Sequence, residues 1–221
     1  MRPERVCPLL LGSILLWVGL QAAGQVAPLT CTDSFDSGAA AWDLRPRANW
    51  AVQEGLLTLR QPGPQTPPVR RPGAYALLKD RVWREVTLEA RVQSLRPASV
   101  KGRDVCVLFG YQDETHFYYA HLSNDSNGQT HNVIVKVDGA QRQAITTEKR
   151  PEPRLTDGWH VVRVVHHADG RIAVYMDDMQ APLLTAQDSR YAQGAVGLGT
   201  FDDPAQFDDV TVSGQVVPPR P

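Results

Sequence analysis

DGWHVVRVVHHADGRIAVYMDD, residues 157–178, and GAVGLGTFDDPAQFDDVTV, residues 194–212, decide how this chain folds. The Asp157-Gly158 turn delivers Trp159 to the head of a strand over His160–His166. Asp169-Gly170 then reverses the chain into a second strand, Ile172–Met176, and an Asp-Gly pair between two such runs is a strong hairpin signal. Two more strands follow over Ala195–Thr200 and Phe207–Ser213. The same grammar extends upstream. Further strands are expected at Trp50–Val52, Leu56–Arg60, Tyr75–Leu78, Val86–Val92, Val105–Tyr111, His116–Ser123, Asn132–Val137 and Gln143–Thr147, with turns at Glu54-Gly55 and Asp138-Gly139. Many β-branched residues between regular turns predict an all-β sandwich or barrel. The proline-rich stretch Gln61–Gly73 cannot feed a sheet ladder and reads as a loop.

The chain has 221 residues, which suits one all-β domain with a short extension. Its start places Arg2 and Arg5 before an apolar run of 15 residues, Val6–Leu20, followed by small residues Ala22 and Gly24. That is the pattern of a secretory signal peptide cleaved after Gly24, and the run is short of the roughly 20 residues that span a bilayer. The expected organisation is a signal over 1–24, a short segment over 25–30, the sandwich over 31–214 and a frayed tail over 215–221. Export leaves Cys31 and Cys106 in the mature chain. Either an oxidising compartment pairs them as a disulfide, or Cys106 is a buried thiol inside a strand. Formal net charge is −1 with no long basic run, which argues against nucleic acid. No apolar helix-length run follows residue 24, so no membrane contact is expected after signal removal.

The segment Thr115–Val137, THFYYAHLSNDSNGQTHNVIVKV, carries the functional expectation. Tyr118, Ala120 and Leu122 alternate with Tyr119, His121 and Ser123, and Val133, Val135 and Val137 alternate with Asn132 and Lys136. A sheet with one apolar face and one face of Tyr, His, Asn and Lys suits sugar binding. The register that turns the valines inward groups Tyr119, His121, Asn132 and Lys136, and a slip of one residue exchanges the faces.

The strand motifs of residues 157–212, with the N-terminal Asp33-Ser34-Phe35-Asp36-Ser37, resemble the laminin-G-like branch of the concanavalin A-like lectin/glucanase superfamily over roughly residues 31–213. The resemblance implies a jelly roll of two curved antiparallel sheets whose concave face binds an oligo- or polysaccharide. It implies a structural calcium near the termini, with Asp36 and Asp209 as counterparts; no other cofactor is required. The alternative for those acids is a set of solvated turn residues. Laminin-G-like sandwiches also bind proteins, so a protein partner stays open.

Carbohydrate recognition through hydrogen bonds and aromatic stacking is the favoured reading, with Tyr119, His121, Asn132, Lys136, Arg142 and Arg163 as ligand-binding residues. The alternative is a glycan-active enzyme. The Glu-x-Asp-x-Glu strand of the superfamily's hydrolases is absent. Glu85 and Glu89 share a face but stand about 13 Å apart along a strand, beyond the roughly 5 to 9.5 Å of glycosidase carboxyl pairs. In the manner of jelly-roll polysaccharide lyases, Tyr119 and His121 would instead serve as acid and base. His166 and His167 are adjacent and point to opposite faces of a strand, and no zinc-type spacing links the histidines. Trp159 is expected to anchor the core, and Trp42, Trp50 and Trp83 to serve as core or as sugar platforms.

Overall fold

The computed structural model describes residues 27–64, 69–126, 129–139 and 141–218. Their strands are β1 (Leu29–Asp33), β2 (Trp42–Arg45), β3 (Trp50–Gln53), β4 (Leu56–Leu59), β5 (Ala74–Leu78), β6 (Val82–Ser94), β7 (Asp104–Asp113), β8 (His116–Ser123), β9 (Val133–Asp138), β10 (Gln141–Ala144), β11 (Thr146–Lys149), β12 (His160–His166), β13 (Arg171–Met176), β14 (Leu184–Gln187), β15 (Gln193–Thr200) and β16 (Ala205–Val217). The signal segment, with Cys7 and Trp17, lies outside the described residues.

All pairings are antiparallel. The first sheet runs β1-β16-β6-β12-β13-β14-β11, with β4 and β3 attached to the start of β16. The second runs β10-β9-β8-β7-β15-β5-β2. β15 joins them: Gln193 and Gly194 pair with β6, and Ala195 onward pairs with β7 and β5. The hairpin chemistry behaves as expected. Gln53 pairs with Leu56 around Glu54 and Gly55, both at positive φ, which is the type I′ turn that matches strand twist.

The main core lies between the sheets. Alternate residues Leu88, Ala90 and Val92 of β6, and Val162 and Val164 of β12, meet Val105, Val107 and Phe109 of β7 and Tyr118, Ala120 and Leu122 of β8. Burying each large apolar side chain contributes roughly 1.5–3 kcal/mol. Trp42, Trp50 and Trp83 belong to this core. Trp159 does not, contrary to expectation. His160 is the first inward residue of β12, so its neighbour points outward, where the Arg91 guanidinium lies 4.7 Å from the Trp159 ring.

Three expectations are corrected. The described sandwich spans Leu29 to Val217, because β16 continues past Gly214 to pair Val217 with Val82. The disulfide alternative does not form and the buried-thiol alternative does: Cys106 is a free thiol inside β7 on the outer face of the second sheet, and Cys31 is a free thiol packed on the inner core. That outer face is also apolar. Leu108, Phe117, Tyr119, Val133, Val135 and Val137 form a second buried cluster, and Val69 from the proline-rich loop packs into it.

Candidate functional site

The register of β8 against β9 decides where the sequence-predicted residues go. His121 pairs with Val133 and Tyr119 with Val135, so the valines share the outer face with Tyr119 and His121. Lys136 projects to the opposite side, and Asn132 precedes β9 and turns its amide onto the β8–β9 connection. The expected grouping of Tyr119, His121, Asn132 and Lys136 therefore does not form. Asn132 sits at φ 49 and closes the β8–β9 connection, accepting from the Ser123 amide and donating to the Ser123 and Asp125 carbonyls. Lys136 is opposite Tyr118, and its Nζ lies 2.5 Å from Asp188 Oδ2. Tyr118 donates to the other Asp188 oxygen. Burial alone would push the Asp188 carboxyl up, but the bonds from Lys136 and Tyr118 hold it below the usual carboxylate range. Arg163 belongs to the first sheet, where it pairs with Glu89 at 2.5 Å.

Tyr119, His121 and Arg142 do come together. Arg142 Nη1 donates to Tyr119 Oη at 3.4 Å. Tyr119 is wholly buried, and burial pushes its hydroxyl well above the ordinary tyrosine range. An inaccessible, less acidic phenol is a poor general base, so the structure removes Tyr119 from the acid/base pair.

His121 borders a pocket of about 280 Å³ that sequence reading did not assemble. Its other walls come from Arg70 of the proline-rich loop, Arg96 and Lys101 between β6 and β7, His131 before β9, Arg142 of β10, and Phe201 and Asp202 between β15 and β16. Phe201 organises this end of the sheet. His121 stacks on its ring at 5.3 Å between centroids, and the guanidinium carbons of Arg142 and Arg70 lie 4.8 and 5.0 Å from its centroid. Such contacts hold the two cations near one another at a buried aromatic ring.

Asp104 fixes Phe201 from below. It is fully buried at the start of β7, and its Oδ2 accepts from the Phe201 amide at 2.7 Å. Its own amide donates to Asp203 Oδ2 at 2.8 Å, while Arg96 holds Asp203 Oδ1 at 2.6 Å. Burial, and next the Asp104 charge, push the Asp203 carboxyl up to about 6. The same two causes raise Asp202, which is exposed at the pocket. His121 Nε2 approaches Asp104 Oδ2 at 3.2 Å without hydrogen-bond geometry. Both its ring nitrogens are thus buried without a hydrogen-bond partner among the described residues.

Arg70 and Phe201 had sequence signals, the paired arginines of VRRPG and the FDD following the VGLGT strand, but only the three-dimensional arrangement unites them. The counterparts expected for calcium also share a cleft. Asp36 and Asp209 border a cavity of about 630 Å³ with Thr32, Asp33, Ser34 and Thr211.

No family model and no curated protein matches the chain. Solved structures match its fold. The carbohydrate binding module CBM66 from Bacillus subtilis superposes with a TM-score of 0.59 at 20% identity, over 78% of this chain and 94% of that one. Peanut lectin superposes with a TM-score of 0.55 at 11% identity, over 88% and 100%. The chain has a concanavalin A-like jelly-roll fold. A beta-1,3-glucanase from Mycobacterium marinum shares it, with a TM-score of 0.50 at 14% identity over 86% of this chain and 100% of that one. The concanavalin A-like fold thus hosts both binding and hydrolysis among these neighbours, and only the site's chemistry can choose between them.

Proposed function

We propose that this chain is a carbohydrate-binding domain that holds an oligo- or polysaccharide at the outer face of its second sheet, the face of β8 that carries Tyr119 and His121. The observation that carries this reading is the pocket of about 280 Å³ where the hydrogen-bonding groups of Arg70, Lys101, His131, Arg142 and Asp202 converge. A few polar groups placed around a concavity are what orient a sugar. The carbohydrate binding module and lectin among the fold neighbours support the same direction. Recognition here proceeds by hydrogen bonds and charge more than by stacking, since Tyr75, Tyr111, Phe117, Tyr119 and Phe201 on this face are all buried. Binding rather than turnover also follows from the burial of Tyr119 and from the pairing of Glu89 with Arg163 and of Glu85 with His167.

Affinity electrophoresis over a panel of polysaccharides tests the proposal, with reducing ends and ultraviolet-absorbing products monitored in parallel. The wild type is expected to be retarded by at least one polysaccharide without product. Phe201→Ala, which removes the ring that gathers Arg70 and Arg142, is expected to lose at least tenfold in affinity. Product formation, or retention unaffected by Phe201→Ala, would contradict the proposal.

Calcium completes this reading as a structural ion. Asp36 borders the cleft where the resemblance puts the ion and offers a hard oxygen donor, whereas Asp33 already accepts from the Phe35 amide and the Trp42 indole and Asp209 pairs with Arg91, so binding must draw Asp209 from Arg91. A calcium-dependent rise in Tm that a chelator reverses is expected, and that rise should be absent in Asp36→Ala. An identical Tm with calcium and with chelator refutes the ion. Export rests on the leader pattern of residues 1–24. N-terminal sequencing of the mature protein should begin at Gln25; a retained Met1 would refute cleavage.

A further inference from the structure

Resting on the carbohydrate reading, we propose that the His121 pocket selects acidic glycans, seating a carboxylate or sulfate group of the sugar between Arg70, Lys101 and Arg142. Three observations carry this. First, the charge is one-sided. Four cationic side chains, Arg70, Arg96, Lys101 and Arg142, border the pocket against one bordering carboxylate, Asp202. The chain as a whole has a net charge of only −1, so this concentration is local. Second, the cations are available. Arg96 is neutralised by Asp203, but Arg70, Lys101 and Arg142 have no carboxylate within ion-pair distance among the described residues. Arg70 and Arg142 are held at one ring rather than dispersed in solvent. Paired planar guanidinium groups match the geometry of a carboxylate or sulfate, and their forks donate in parallel. Third, His121 is 3% exposed, borders the pocket, and has both ring nitrogens without a hydrogen-bond partner among the described residues. Nε2 faces Asp104 Oδ2 at 3.2 Å without hydrogen-bond geometry, so Nδ1 is the nitrogen with no polar neighbour among the described residues, and an oxyanion entering the pocket gives its N–H an acceptor that relieves the cost of leaving a buried polar group unpaired. Asp104, Asp202 and Asp203 gather their carboxylates beside the pocket, but Asp104 Oδ2 already accepts from the Phe201 amide and Asp203 Oδ1 from Arg96, and Arg70 and Arg142 oppose a cation on the pocket side.

Calorimetric titration with four probes of matched length tests the inference: an oligogalacturonate, a sulfated chondroitin oligosaccharide, a neutral glucan or fructan, and polyglutamate as an anion without sugar. The uronate, the sulfated oligosaccharide or both should bind at least tenfold tighter than the neutral glycan and polyglutamate. The preferred acidic probe then identifies the anion as carboxylate or sulfate. Arg142→Gln and Arg70→Gln should each weaken the acidic probe about tenfold, while Arg171→Gln, on the β12–β13 hairpin, leaves it unchanged. Arg70 is exposed on a loop, so its variant keeps the test valid should Arg142→Gln fail to fold. Equal or tighter binding of neutral glycans, unaffected by either substitution, overturns the acidic preference and leaves the carbohydrate reading intact. Polyglutamate bound as tightly as the best glycan overturns sugar selection. Binding of no glycan overturns both readings.

Discussion

Replacing Asp104 by alanine is expected to lower stability by about 3 kcal/mol, at the upper end for a charge-assisted buried hydrogen bond, and to weaken glycan binding at least tenfold. Asp104 is the point where the fold and the site meet. Its carboxylate anchors the Phe201 amide at 2.7 Å, and without it a buried N–H is left unsatisfied. The segment after β15 then loses its tether to β7, and Phe201 no longer fixes Arg70 and Arg142. A compensating effect has a definite sign. Burial first, and the Asp104 charge second, hold the Asp203 carboxyl at about 6. Removing Asp104 relieves that repulsion only where Asp203 is ionised. The cost of Asp104→Ala should therefore be larger at pH 5 than at pH 7.5. Urea denaturation at the two pH values, with carboxyl titration by NMR, checks this. An unchanged midpoint of Asp203, or a cost independent of pH, would mean that the two acids are uncoupled.

The stability of the wild type is expected to carry a second pH signature from His166. This side chain lies between the sheets, with ring centroids 5.3 Å from Phe109 and 5.6 Å from Tyr118 and with Nε2 buried and unpartnered among the described residues. Burial is the main cause that lowers its pKa to about 4. The unfolded chain takes up the proton near pH 6.5, whereas the folded chain resists until about 4. The stabilising preference for neutral His166 is therefore complete above pH 6.5 and is lost as pH falls from 6.5 through about 4. At about 1.4 kcal/mol per pKa unit, the total is about 3 kcal/mol. Asp203 acts in the opposite direction, because its raised pKa makes the folded state the stronger proton acceptor between about 4 and 6. The difference between wild type and His166→Leu isolates the histidine. Relative to wild type, the variant should gain about 3 kcal/mol as pH falls from 7 to 4. A constant difference would show that His166 is not held neutral by the fold.

The architecture was legible because its strongest signals are local. The Asp169-Gly170 turn and its flanking alternation located β12 as observed and β13 to within one residue. β2 and β14 escaped notice because no Asp-Gly or Glu-Gly turn flags them, whereas the equally short β3 and β4 flank the Glu54-Gly55 turn. The site was less legible for a specific physical reason. Alternation identifies the interior of a sheet only when one face is polar, and here both faces of β8 are buried. Val133, Val135 and Val137 then suggest the inner stripe, whereas Ile134 is the β9 residue in the inner core. Lys136 can share that side because Asp188 neutralises it. The pocket was hidden further because its cations come from three segments distant in sequence, around Arg70, around Arg96 and Lys101, and at Arg142.

The most direct measurement of the account is a map of amide chemical-shift changes as an oligosaccharide retained by the protein is titrated in. Binding at the proposed pocket predicts the largest changes at His121, His131, Arg142, Phe201 and Asp202. Changes confined to Arg91, Trp159 and Arg163 on the first sheet, with the pocket amides unmoved, would contradict it.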